Sequence, residues 1–216
     1  MKKLILFIAI AVAATQIQAQ DLKPALTKTF NMFDSSQNKD FKTEQANKLE
    51  LIAKKWSNEW ITHYYLSLSK TILTHYETDP ATKDANLDIA EKEHEEAVSI
   101  LGKENDETYV LAAMIASARM SVDPMTRWQK YGQIFTENLQ NAKEINPDNP
   151  RMYYIQGTSK YFTPKAYGGG KKAAQPYFEK AATLFAKEKT DDITKPYWGR
   201  YANAYFIGQC NIEDKQ

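Results

Sequence analysis

A single cysteine, Cys210, among 216 residues leaves no internal disulfide to form, so packing alone must hold the fold. The three histidines, His63, His75 and His94, show no HExxH or two-ligand spacing, and so point to no zinc site. Eight glycines and eight prolines are few for an all-β chain with its many turns. The formal net charge is only +1, which argues against a nucleic-acid or membrane-surface role. GxSxG, Cys–His pairing, paired-carboxylate spacing and the GxxxxGK[ST] phosphate loop are all missing. No catalytic residue, metal or cofactor can be named, and the chain is expected not to be an enzyme.

Long apolar runs are scarce too. One stretch, Leu4 to Ala14, follows Lys2-Lys3 and has the length of a signal-peptide core, too short to span a bilayer. Ile17 and Ala19 suit the −3 and −1 positions of a cleavage site. Residues 1–19 are therefore expected to be a signal peptide cut after Ala19, with a mature domain over 20–216. No cysteine follows the cut, so no lipoprotein anchor is expected. Loss of Lys2 and Lys3 moves the net charge to −1. The mature chain is expected in the periplasm or secreted, without membrane insertion.

What the sequence has in quantity is aromatic side chains (13 Tyr, 9 Phe, 4 Trp) and helical periodicity. Residues 149–187 carry the clearest pattern. Asn149 can cap a helix and Pro150 suits its first turn. Met152, Tyr153, Ile155, Gln156, Gly157 and Tyr161 follow at helical spacing. Thr163-Pro164 and Gly168-Gly169-Gly170 break the chain. Ala174, Phe178, Ala181 and Phe185 then form a single apolar stripe. Gly157, Ala174 and Ala181 allow two helices to approach closely, with Tyr153, Tyr161 and Phe178 filling the space around them. Similar periodicity predicts helices over 22–33, 41–56, 60–76, 84–101, 108–121, 125–145 and 197–210. Aromatics near the starts of successive first helices, Trp60, Tyr109, Tyr153 and Trp198, are 49, 44 and 45 residues apart. The predicted fold is all-α: a short right-handed α-solenoid of tetratricopeptide-like helix pairs (60–101, 108–145, 152–187) with a C-terminal capping helix.

Several phrases carry a family resemblance. Ser121-Val122-Asp123-Pro124-Met125-Thr126-Arg127 with Lys130-Tyr131-Gly132, Asn149-Pro150-Arg151, Gly157, Thr163-Pro164 with Gly168 to Lys171, and Asn58-Glu59-Trp60 resemble small exported tetratricopeptide-repeat proteins of Gram-negative bacteria. The resemblance spans the mature chain. It implies an exported helical-repeat scaffold with no catalytic motif to carry over. A weaker likeness over Pro164 to Ala174 points to periplasmic repeat subunits of binding-protein-dependent transporters. Glu50 and His94 stand where such repeats hold a large apolar residue, and Tyr64 and Ala113 where they hold glycine.

First helices of a repeat stack line its concave side. Tyr65, Tyr154 and Tyr201, beside the packing stripe, are the candidates to face that groove. Arg119, Arg127 and Tyr131, around the Asp123-Pro124 turn, can form a polar cluster on it, or Asp123 can simply cap the next helix with the basic groups solvated. Gly168, Gly169, Gly170 and Lys171 can cradle an anion on glycine amides, or merely permit a tight loop. The expectation is a scaffold binding a protein segment or peptide on its concave face. The alternative is a small-molecule-binding accessory subunit of a periplasmic transport system.

Overall fold

In a computed structural model, which describes residues 22–189 and 192–212, all regular structure among the described residues is helical. The expected signal segment, 1–19, lies outside them. The order is α1 (22–35), α2 (Lys39–Lys55), α3 (Trp60–Leu73), α4 (Pro80–Leu101), α5 (Asp106–Val122), α6 (Pro124–Ile145), α7 (Pro150–Phe162), α8 (Lys171–Phe185) and α9 (Arg200–Asn211). Short 3-10 turns at Thr74–Tyr76 and Lys165–Tyr167 follow α3 and precede α8.

The helix starts are written in short polar side chains. Asn38, Asp79, Asn105, Asp123 and Asn149 each sit just before a helix and accept a backbone N–H of its first turn. Asn105 and Thr108 form a reciprocal capping box at α5. Four helices, α2, α4, α5 and α6, start earlier than the periodicity predicts, two of them at proline. α4 begins at Pro80 and α6 at Pro124, rather than at Asp84 and Met125, because proline fits the first turn behind an aspartate cap. Gly102, at φ 72°, ends α4 in the left-handed conformation.

Consecutive helices joined by short connections pack as hairpins: α3 on α4, α5 on α6, α7 on α8. α5 also touches α3 and α7, and α9 lies on α8. The α7–α8 approach depends on Gly157, where a Cβ would stand 2.6 Å from the Phe178 ring.

α3 is the middle of the molecule. Every residue from Ile61 to Thr71 is buried, so its polar groups must be satisfied internally. Ser67 donates to the Ala90 carbonyl at 2.7 Å, Thr71 to Ser67 at 2.9 Å and Ser69 to Leu66 at 2.8 Å. One side of α3 is covered by α1 and by the stretch before α9. Phe30 lies 4.3 Å from the Tyr65 ring and 6.4 Å from that of Tyr197. The Tyr197 hydroxyl donates to Asn31 at 3.1 Å, and Lys23 pairs with Asp192 at 3.1 Å.

This stretch departs from expectation. Tyr197 and Trp198 precede the last helix instead of opening it. Gly199, at φ 96°, turns the chain into α9, and Trp198 is buried in the core. The aromatic at 198 is therefore a plug, not the first residue of a further repeat.

Candidate functional site

Beneath that plug runs a buried polar chain. Trp198 donates its indole N–H to the Tyr64 hydroxyl (2.7 Å), which donates to Glu107 (3.0 Å); Asn149 donates to the other Glu107 oxygen (2.8 Å). Arg151, wholly buried, stands 3.3 Å from Glu107, donates to Glu188 at 2.6 Å and also reaches the Pro196 carbonyl. Burial lifts the Glu107 carboxyl to about 7, opposed by the Arg151 charge. One network thus ties α3, α5 and α7 to Glu188, Pro196 and Trp198. Most of its polar atoms are committed to one another, Arg151 Nε and one Glu188 oxygen being left without a hydrogen bond, so it reads as a fastening and not as a site.

Several residues expected on an open groove are engaged in the same way. Tyr65 is fully buried beneath Phe30 and Tyr197 and faces no groove. Arg119 is buried, pairing with both oxygens of Glu91 (2.9 and 2.8 Å), with Asp84 (2.8 Å) and with Asp88. Arg127 grips both oxygens of Asp84 at 2.7 Å. Those hydrogen bonds, with Arg119 behind them, hold the Asp84 carboxyl down at about 2. The arginines rivet α5 and α6 to α4. Both are paired and not a free polar cluster, Arg119 buried and Arg127 partly exposed, although Asp123 caps α6.

The glycine loop is spent as well. Gly168 donates its N–H to Lys165 (3.0 Å), Gly169 to Pro164 (3.2 Å) and Gly170 to Lys160 (2.8 Å). No glycine amide is left for an anion. Gly168 and Gly170 adopt φ of 77° and 95°, and a Cβ on Gly169 would fall 2.1 Å from the Thr163 carbonyl. The glycines are there for the turn. Lys171 donates to the Ile212 carbonyl at 2.9 Å, which joins the start of α8 to the end of α9.

That junction carries the most distinctive surface. Tyr161 and Phe162 close α7, with ring centres 5.1 Å apart. Phe206 of α9 lies 5.1 Å from Tyr161 and 5.9 Å from Phe162, and stacks on Phe178 of α8 at 5.2 Å and 8°. Tyr205 adds a further ring 5.5 Å from Phe206. Tyr154 lies behind, 6.3 Å from Phe206 and 6.2 Å from Trp198. The base is rigid: Asn203 is buried and donates to the Phe178 carbonyl at 2.9 Å, and Arg200 reaches the Phe185 carbonyl. The outer rings remain open to solvent, Phe162 at 71% exposure and Tyr205 at 62%. Tyr201, at 81%, continues the face of α9, and Tyr167 is exposed on the turn before α8. A contiguous exposed aromatic face on a packed base marks a binding surface more than an accident of packing. Lys160 precedes Tyr161 on α7, and Lys172 lies in the first turn of α8.

Of the residues expected at a site, Tyr201 belongs to this face, Tyr154 packs behind it, and Tyr131 lies elsewhere, in a cleft between α4 and α6. The main rings, Phe162, Tyr205 and Phe206, were not among those expected. Their spacing on α7 and α9 gave a signal, but one that core packing would produce equally. Among the described residues, no group of three or more His, Cys, Asp or Glu side chains is placed to hold a metal ion, and no helix is long and apolar enough to cross a membrane.

The sequence matches no protein-family model and no curated protein. The fold does have a solved relative, the HusA haemophore from Porphyromonas gingivalis. The two superpose with a TM-score of 0.71 and 31% sequence identity, over 86% of this chain and 90% of that one. With that identity across nearly the whole of HusA, the chain belongs to the HusA family.

Proposed function

We propose that the protein is an exported, non-enzymatic haem-binding protein that holds the flat ring of its ligand against the aromatic face of α7 and α9. The observation that carries this is the pair of exposed rings, Phe162 and Tyr205, around half-buried Phe206 on a chain of the HusA family, whose named member is a haemophore. The chemistry supports it. A porphyrin is planar and apolar with two carboxylates at one edge. Rings at 5–6 Å offer it stacking and edge contacts, each worth about 0.5–1.5 kcal/mol beyond buried area, and Lys160 and Lys172 suit the carboxylates. The three histidines lie far from this face in the sequence, on α3, the turn after it and α4, so the face presents phenols and not imidazoles.

In this reading the hairpins form a short right-handed tetratricopeptide-like solenoid closed by α9, and residues 1–19 direct export. The peptide-binding expectation has less to rest on, because the α3 side assigned to the peptide lies under α1 and Tyr197. The small-molecule alternative takes its place, without a commitment to a transporter.

The test is an absorbance titration of haemin with the mature protein. Saturable change in the porphyrin band is expected, weakened about five- to tenfold by Phe162→Ser with Tyr205→Ser. These side chains are exposed, so the double variant should keep its fold. No spectral change, or equal binding by the variant, would refute the assignment.

A further inference from the structure

The cleft between α4 and α6 is separate from the aromatic face. Both helices pack on α5, and a cavity of about 150 Å³ opens over it, lined by Glu91, His94, Glu95, Ala112, Ile115, Ala116, Tyr131 and Ile134. Ala112 and Ala116, one helical turn apart, keep the floor low, where larger side chains would close it. The volume matches an apolar cavity that takes benzene and falls well below the roughly 300 Å³ at which drug-sized pockets begin. A porphyrin does not fit.

The polar groups of the lining have one character. His94 is buried, and its Nε2 meets the Thr108 carbonyl at 2.9 Å. A carbonyl only accepts, so Nε2 carries a proton. Glu91 is neutralised by the two bonds from Arg119. Glu95 is exposed at the mouth of the cleft, and its side chain makes no ion pair or hydrogen bond among the described residues. Tyr131 supplies an aromatic wall. Lys130 lies over that ring at 5.0 Å but does not line the cleft. An apolar floor, a ring and an unpaired carboxylate, with no lysine or arginine in the lining, suit a ligand that donates hydrogen bonds and carries positive charge.

We propose that this cleft is a second ligand site, for a small primary amine with an apolar or aromatic body of about benzene size. The ammonium sits toward Glu95 and Tyr131, and the body rests on Ala112, Ile115 and Ala116.

The probe is benzylamine, compared with benzyl alcohol and benzoate, on labelled mature protein followed by amide NMR. Benzylamine is expected to shift the amides of residues 112–116 and 131 with a dissociation constant on the order of 1 mM. Benzyl alcohol should bind about fivefold more weakly, and benzoate should not bind. Glu95→Gln should bring the amine down to the level of the alcohol, and Ala116→Leu, which fills the floor, should abolish both. Haemin titration of the Ala116→Leu variant reports on the fold and on the other site independently, and is expected to be unchanged. Absence of amine binding, equal binding of benzoate, or undiminished amine affinity in Glu95→Gln would each overturn the proposal.

Discussion

Glu107 should make the protein less stable as pH rises from acid to neutral, the reverse of the usual behaviour of a carboxylate. Its side chain is 14% exposed and lies between Tyr64, Asn149 and Arg151. Burial raises its carboxyl from an ordinary 4.5 to about 7. The unfolded chain sheds this proton above pH 4.5, while the folded chain keeps it until about pH 7. Across that window the native state binds more protons, so stability falls with rising pH. At about 1.4 kcal/mol per pH unit the whole interval is worth about 3 kcal/mol; water reaching the side chain reduces the expected effect to about 1–2 kcal/mol. His63 adds a smaller contribution of the same sign at higher pH. Its ring nitrogens face Glu93 at 2.6 Å and the Ser57 carbonyl at 3.1 Å, and the Glu93 bond raises its pKa. That stabilisation is complete below the unfolded value near 6.5 and fades as pH climbs through the raised one. The assay is urea unfolding in steps from pH 4.5 to 7.5 for the wild type and Glu107→Gln. The wild type should lose stability over this range and the variant distinctly less. Parallel curves, or a wild type that gains stability toward neutrality, would refute the reasoning.

Other substitutions probe the packing. Arg151→Met leaves Glu107 and Glu188 buried without their cation and should cost about 3–5 kcal/mol in urea unfolding. Gly157→Ala drives a methyl into the Phe178 ring and should cost about 1–3 kcal/mol, with the aromatic circular dichroism altered at the same time. Asp84, held at about 2 by Arg127 and Arg119, stabilises the fold above pH 3.8 and loses that contribution as pH falls through 2. Arg127→Gln should therefore move the acid-unfolding midpoint to higher pH.

Much of the architecture was legible because helix ends are local chemistry. Asn149-Pro150, Asp123-Pro124 and Gly102 mark boundaries through their own backbone preferences, and the Gly157–Phe178 approach follows from side-chain size. The site was not legible, for a different reason. Tyr161, Phe162, Tyr205 and Phe206 recur at helical spacing, which is how core residues recur; only the placement of α9 on α8 leaves Phe162 and Tyr205 outside while Phe178 is sealed within. Tyr65 and Arg119 erred in the opposite direction. Each stands on a helix flank that reads as exposed until a distant segment, α1 for the tyrosine and α4 for the arginine, covers it. Trp198 fitted the repeat spacing by position, yet Gly199 turns the chain after it and sends the ring inward. Such outcomes depend on contacts between residues far apart in the chain, such as the 134 positions separating Trp198 from Tyr64.

The most direct measurement is an amide NMR map of the labelled mature protein with haemin added in steps. Perturbation centred on residues 161–162 and 201–206, with residues 112–116 undisturbed, is the predicted result. A map centred on α4 to α6, or one unchanged at saturating haemin, would contradict it.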